Sequence, residues 1–139
     1  MEQLWTNRNS LSDFVQNALI QHQPSVSNIY IAVAFFTDIE AVQNLLLDDC
    51  HLRLIVRLGF PTNPMALRKL LSTKNIEIRY YTGSGFHPKL YIFGDKVALL
   101  GSANLTKAAL LTNQEIVTSI GSDDPRFDEL LVLFSEYWN

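Results

Sequence analysis

The chain has a single cysteine, Cys50, so it can form no internal disulfide, and its Cys and His residues fall at no spacing that suits a zinc site. Nothing nearby in sequence would make Cys50 reactive. Long apolar runs are also lacking: none approaches the length that crosses a bilayer, and no amphipathic basic anchor marks a membrane surface. The opening residues, MEQLWTNRNS, have neither the basic nor the apolar region of a signal peptide, so a cytoplasmic address is expected. Positive charge is not in excess. Eleven Lys and Arg stand against fourteen Asp and Glu, a net charge of −3, which excludes a general nucleic-acid polycation and leaves any polyanion to a local patch. Repeats, low-complexity tracts and linkers are missing too. What remains is 139 residues, 47% hydrophobic and 18% charged, which is the make-up of one globular domain over 1–139 with a real core.

Periodicity divides that domain into alternating elements. Ser10 or Ser12 is placed to cap a first helix to about His22, with Leu11, Phe14, Val15, Ala18 and Leu19 as its apolar stripe. NIYIAVAFF at 28–36 is apolar on both faces, as a central strand must be. Thr37 is placed to cap a second helix, with Asp38 and Glu40 in its first turn. HLRLIVRL at 51–58 reads as a strand, Pro64 opens a third helix to about Thr73, and IEIRYY at 76–81 is another strand. A hairpin over 87–101 turns at Phe93-Gly94-Asp95-Lys96, a short helix is expected near Leu105–Thr106, a last strand covers 114–121, and a final helix runs from Pro125 to Tyr137. The expected fold is therefore α/β, a mixed sheet with helices on both faces.

One stretch asks for a chemical explanation. HPK at 87–89 opens an apolar strand whose alternation puts His87, Lys89, Tyr91 and Phe93 on one face and Leu90 and Ile92 on the other. VALL then leads into GSAN at 101–104, and Glu115 follows eleven residues after Asn104. A His and a Lys together on a core-like strand are costly to bury without partners. Singly, each piece is ordinary: a surface His-Lys face, a turn sequence, a strand-edge Glu. Their joint order on a strand–hairpin–strand is not. His22 and His51 end a helix and start a strand, and Tyr80-Tyr81 reads as sheet packing before it reads as a base-stacking platform.

His87-x-Lys89, Gly101-Ser102-x-Asn104 and Glu115 together resemble the motif of the phospholipase D superfamily, and in particular its single-motif, metal-independent restriction endonucleases and related nucleases. That resemblance implies a phospholipase D-like α/β domain with one motif per chain. It also implies His87, Lys89, Asn104 and Glu115 as catalytic residues, with Lys89, Gly101, Ser102 and Asn104 around the phosphate and neither metal nor other cofactor. The family's Asp usually follows the Lys after four residues. Here Asp95 follows after five and falls in the expected turn, so no role is carried onto it.

The residue types suit that chemistry in their own right. Phosphodiester cleavage needs a nucleophile, a proton for the leaving oxygen and donors on the non-bridging oxygens. A neutral imidazole can attack phosphorus and form a phosphohistidine that water resolves. In that scheme Glu115 orients His87, Lys89 supplies a point charge, Ser102 and Asn104 supply neutral donors, and Gly101 lets the backbone approach. Two displacements use two histidines and the chain has one H-x-K, so a homodimer sharing one site is expected, with Phe86, Tyr91, Leu105 and Thr106 as interface candidates. The expected partner is nucleic acid, DNA rather than RNA, with a separate target-recognition domain or subunit supplying what a net-acidic domain lacks. The eight local basic residues Arg53, Arg57, Arg68, Lys69, Lys74, Arg79, Lys96 and Lys107 are candidates for a phosphate-tracking surface, and sequence does not say which of them share a face. Two other classes stand beside the nuclease: a phospholipase or phosphatidyl-transfer enzyme on lipids, and a catalytically inert binding subunit. Release of acid-soluble nucleotides, release of choline, or DNA binding without turnover would separate the three.

Overall fold

The computed structural model describes residues 4–8, 13–23, 26–46 and 49–139. Seven strands form one mixed sheet: β1 (Leu4–Trp5), β2 (Asn28–Val33), β3 (His51–Arg57), β4 (Ile76–Tyr81), β5 (Lys89–Phe93), β6 (Val97–Gly101) and β7 (Val117–Gly121). Their order across the sheet is β1-β7-β6-β5-β2-β3-β4. β2, β3 and β4 are parallel and joined through helices, whereas β5, β6, β7 and β1 add on antiparallel. β2 is thus the seam between two halves of different construction.

Four helices cover the sheet. On one face lie α1 (Val15–His22), α2 (Ile39–Leu45) and α3 (Pro64–Leu71), which bury Ala18, Leu19, Val42, Leu45, Leu67 and Leu70 against Ile29, Ile31, Val33, Leu52, Leu54 and Val56. The other face carries α4 (Pro125–Trp138), whose Phe127 and Phe134 pack on Ala32, Ile55, Leu90, Ile92, Ala98 and Ile120. Two-sided burial explains why β2 and β3 read as near-continuous apolar runs. Each aliphatic side chain so buried contributes about 1.5–3 kcal/mol. A carboxylate in place of Ile31 would bury a charge among apolar neighbours and break the sheet at its centre.

The helix starts differ from the sequence expectation. Ser10, Leu11 and Ser12 lie outside the described residues. The first N–H of α1 is instead met from a distance, Val15 N donating to the Asn7 carboxamide oxygen at 2.8 Å. Asp38, not Thr37, caps α2, accepting from Ala41 N at 3.2 Å; a carboxylate caps better than the Thr before it and also suits the helix dipole. Asn63 caps α3 ahead of Pro64. The hairpin turns where expected, Lys96 N donating to Phe93 O at 3.1 Å, with Gly94 at φ +58. In place of a short α-helix near Leu105, residues Ala108–Thr112 make a π-helical turn.

Two strand boundaries also differ. Pro88 has no N–H to pair, so β5 begins at Lys89 and His87 stands before the strand rather than in it. Its faces alternate as expected, Tyr91 and Phe93 going to one core layer and Leu90 and Ile92 to the other. The last strand starts at Val117, leaving Glu115 on the loop ahead of it.

Candidate active site at the carboxyl end of the parallel strands

Three chain segments meet beyond the ends of β2 and β3, the place where open α/β sheets put their ligands. The tail of β2 is stitched to the GSAN segment: Leu105 N donates to Phe35 O at 3.2 Å, and Thr37 N and Asp38 N donate to Leu105 O at 3.0 and 3.1 Å. The Asn104 carboxamide oxygen accepts from Phe35 N at 3.1 Å. That bond fixes which end of the amide is which and commits its oxygen as the acceptor, so the NH2 is the end that can act as a donor. Beneath this segment the buried Tyr91 hydroxyl donates to Ala103 O at 2.8 Å, and burial and the charge of Glu115 hold it in its neutral form. A structural role for this tyrosine follows from its burial.

Ser102 and Gly101 do work other than that expected of them. The Ser102 hydroxyl donates to Glu115 Oε1 at 2.5 Å and accepts from Ile116 N at 2.9 Å, while Ser102 N donates to Ile116 O at 3.0 Å. Its proton is committed to the carboxylate in a short, charge-assisted bond. Ser102 therefore positions Glu115 and is not a free phosphate donor. At Gly101 a Cβ would run into the Ile116 carbonyl and crowd Val117. The residue is glycine because β7 passes there, whatever a phosphate may need.

His87 is exposed and packs the edge of its ring on Phe35, centroids 6.0 Å apart at 73°. The Lys89 ammonium, half-buried, donates to the His87 carbonyl at 3.1 Å. Arg57, at the end of β3, lays its guanidinium over the other part of this group, 4.6 Å from the Phe35 ring centroid, and donates to Ser84 O at 2.8 Å. Among the described residues it has no carboxylate partner. The neighbouring Lys89 charge, then partial burial, then Arg57 lower the His87 pKa from its ordinary 6.5. Burial likewise lowers that of Lys89, against the opposing pull of Glu115. The imidazole is thus biased toward its neutral, nucleophilic form by the same cations that would receive a phosphate. Glu115 lies near Lys89 and Tyr91, and its hydrogen bond is to Ser102 rather than to His87.

Phe35 and Arg57 were not singled out as site residues from the sequence. They are 52 and 30 residues before His87, and only the pairing of β2 with both β3 and β5 brings them to it. The other two histidines are elsewhere. His22 packs against Trp5 and Phe93, and His51 opens β3 at the opposite end of the sheet. Asp95 is exposed on the hairpin turn. Among the described residues, no three His, Cys, Asp or Glu side chains converge as a metal site would require, and no helix is long and apolar enough to cross a membrane.

The family model described as "Cardiolipin synthase, PLD-like domain" matches residues 19–138, nearly the whole chain and every site residue. The chain belongs to the phospholipase D-like domain family. Solved structures agree on the fold. NucT from Helicobacter pylori superposes with a TM-score of 0.81 at 20% identity, covering 98% of this chain and 94% of its own. Nuc from Salmonella typhimurium, a phospholipase D family member, gives 0.79 at 18% identity, covering 100% and 94%. TrmBL2, an archaeal chromatin protein with a novel mode of DNA binding, gives 0.62 at 15% identity over 99% of this chain and 51% of its own. No curated protein sequence is significantly similar to the chain. The phospholipase D-like domain here is a seven-stranded mixed sheet, and its fold is that of the superfamily's phosphodiesterases.

Proposed function

We propose that this phospholipase D-like domain is a metal-independent nuclease that cleaves DNA through a phosphohistidine on His87, in a site shared by two copies of the chain. The observation that supports it best is an exposed imidazole, biased toward its neutral form by adjacent cations, with Lys89, Arg57 and Asn104 beside it. His87 Nε2 or Nδ1 would attack phosphorus, forming an N–P bond as the P–O bond to the leaving oxygen breaks; water then displaces the histidine. Lys89 and Arg57 stabilise the charge on the non-bridging oxygens, and the Asn104 NH2 adds a neutral donor. The leaving oxygen needs a proton, and a second imidazole is its fitting source. Neither His22 nor His51 is within reach, the latter lying about 20 Å away along the strands. A second copy across a two-fold axis supplies that imidazole, and Glu115, held by Ser102, is the acceptor proposed to orient a His87 ring in the assembled pair.

Burial narrows the interface. Phe86, Tyr91 and Leu105 are spent in the chain's own core, which leaves Thr106 alone of the four residues first considered. Around the site His87 and Ser102 are exposed and Lys89 and Glu115 half-buried, which leaves all four within reach of a second copy. NucT and Nuc, which match over almost their entire length, support a working unit of this size; the finding that TrmBL2 binds DNA supports nucleic acid as the ligand of this fold.

The test is to mix wild-type and His87→Ala subunits at increasing ratios, with excess EDTA, and to follow cleavage of DNA. A shared site gives activity falling as the square of the wild-type fraction. A linear fall, or a fully active monomer in sedimentation, refutes the shared site, and loss of all cleavage in EDTA refutes metal independence. An alkaline quench should trap phosphate on wild-type protein and none on His87→Ala.

A further inference from the structure

Three of the eight basic residues that the sequence leaves unplaced come together in the fold. β3 and β4 pair in parallel, Arg53 with Glu77, Ile55 with Arg79 and Arg57 with Tyr81. All six therefore point to the same face of the sheet, the one that α4 covers only in part. Three arginines form a row there, from Arg53 through Arg79 to Arg57, about 13 Å between the Cα atoms of its ends. One end of the row is the site itself, where the Arg57 guanidinium lies on Phe35 and Phe35 on His87. At the other end both remaining guanidiniums lie on a single ring: Arg79 is 4.3 Å and Arg53 5.2 Å from the centroid of Trp138.

We infer that this row is a phosphate track, along which a polynucleotide leads away from the scissile phosphate past Arg57 to Arg79 and Arg53. The inference rests on the nuclease reading above and extends it to the substrate's path. A guanidinium held over an aromatic ring is already restrained and still has N–H groups to spare, even where Arg57 donates to Ser84 O, so it loses little further freedom on meeting a phosphate. The row is longer than one phosphate group, so it suits a polymer and has no use in a small diester. The sole carboxylate in it is Glu77, 3.6 Å from Arg53 in an exposed pair that holds little energy. That pair gives the inference a direction: removing the Glu77 charge should improve binding.

The experiment measures binding of fluorescein-labelled oligodeoxythymidylate to the full chain carrying His87→Ala, which blocks turnover, across a salt series. Adding Arg53→Gln and Arg79→Gln should weaken binding roughly tenfold at physiological salt and flatten the log–log salt slope by about 1.4, since each single-strand phosphate contact contributes about 0.7. Glu77→Gln should tighten it about twofold. In the otherwise wild-type chain, the double Arg substitution should leave kcat/KM on bis(p-nitrophenyl) phosphate within twofold while lowering it on the oligonucleotide. Arg53→Lys with Arg79→Lys should restore most of the salt slope, which a role confined to covering Trp138 would not do. An unchanged slope and affinity in the double variant overturns the track. Failure of the unsubstituted chain to hydrolyse either substrate overturns the nuclease reading, and its failure to bind the oligonucleotide overturns both.

Discussion

Replacing Gly101 with Ala separates two reasons a glycine can stand before Ser102. If glycine is there to let a phosphate approach the backbone, Ala should raise KM and leave stability alone. The structure gives the other reason: the added methyl would occupy the place of the Ile116 carbonyl, and β6 and β7 must part to admit it. Parting them strains or breaks two hydrogen bonds, Ser102 N to Ile116 O and Ile116 N to Ser102 Oγ. Each is worth about 1 kcal/mol net. Forcing a methyl into a filled space adds roughly 1–3 kcal/mol. The expected loss is about 3–5 kcal/mol, a large share of the stability of a domain this size. For 139 residues that corresponds to a fall in Tm of roughly 10–15 °C. Differential scanning calorimetry reads it directly. Activity should fall as well, through kcat, because Glu115 moves with Ile116. A variant with wild-type Tm and a raised KM would refute the packing account.

Two further outcomes can be checked on the same small diester. Lys89 and Arg57 lower the His87 pKa from 6.5, so with His87 as the proposed nucleophile the acid limb of kcat/KM should lie below that pH; Lys89→Gln should move the limb up toward 6.5 as well as lowering the rate, and Arg57→Gln should do so by less, as pH–rate profiles or the His87 NMR titration would report. Ser102→Ala should lower kcat several-fold with KM little changed, since the hydroxyl holds Glu115 and has no proton left for substrate; a KM effect alone would mean that Ser102 does meet the phosphate.

The fold was readable in the sequence wherever burial imposed a strict pattern. The two-sided runs of β2 and β3 and the turn at Gly94 stand where periodicity and turn chemistry put them. Leu4–Trp5 escaped because two residues have no period; they pair with β7, and the Trp5 ring is buried in the core against His22. The grouping of the candidate site residues was readable where residues close in sequence are close in space. His87, Lys89, Gly101, Ser102, Asn104 and Glu115 all come from one short stretch. What each does there was less visible, since the committed hydroxyl of Ser102 and the crowded Cα of Gly101 depend on where Ile116 lies across the strand pair. Phe35 and Arg57 were harder still. Nothing in a strand of apolar residues marks the one whose ring will seat an imidazole, and an arginine ending a strand looks the same whether it faces water or a phosphate.

The seam at β2 has a consequence for how such a domain can be cut and rejoined. The hairpin β5–β6 contains the recognisable motif and is a local structure, of the kind that forms in microseconds. Yet Asn104 is oriented by the Phe35 backbone, and His87 rests on the Phe35 ring. Grafted onto a foreign protein, the hairpin would take along its signature and leave its geometry behind. A unit that keeps these contacts must carry the hairpin and the segment through Ile116 together with β2, its tail and β3. For the same reason a chain in which these letters survive but the tail of β2 has changed would keep its resemblance to the family while losing the seat of the His87 ring.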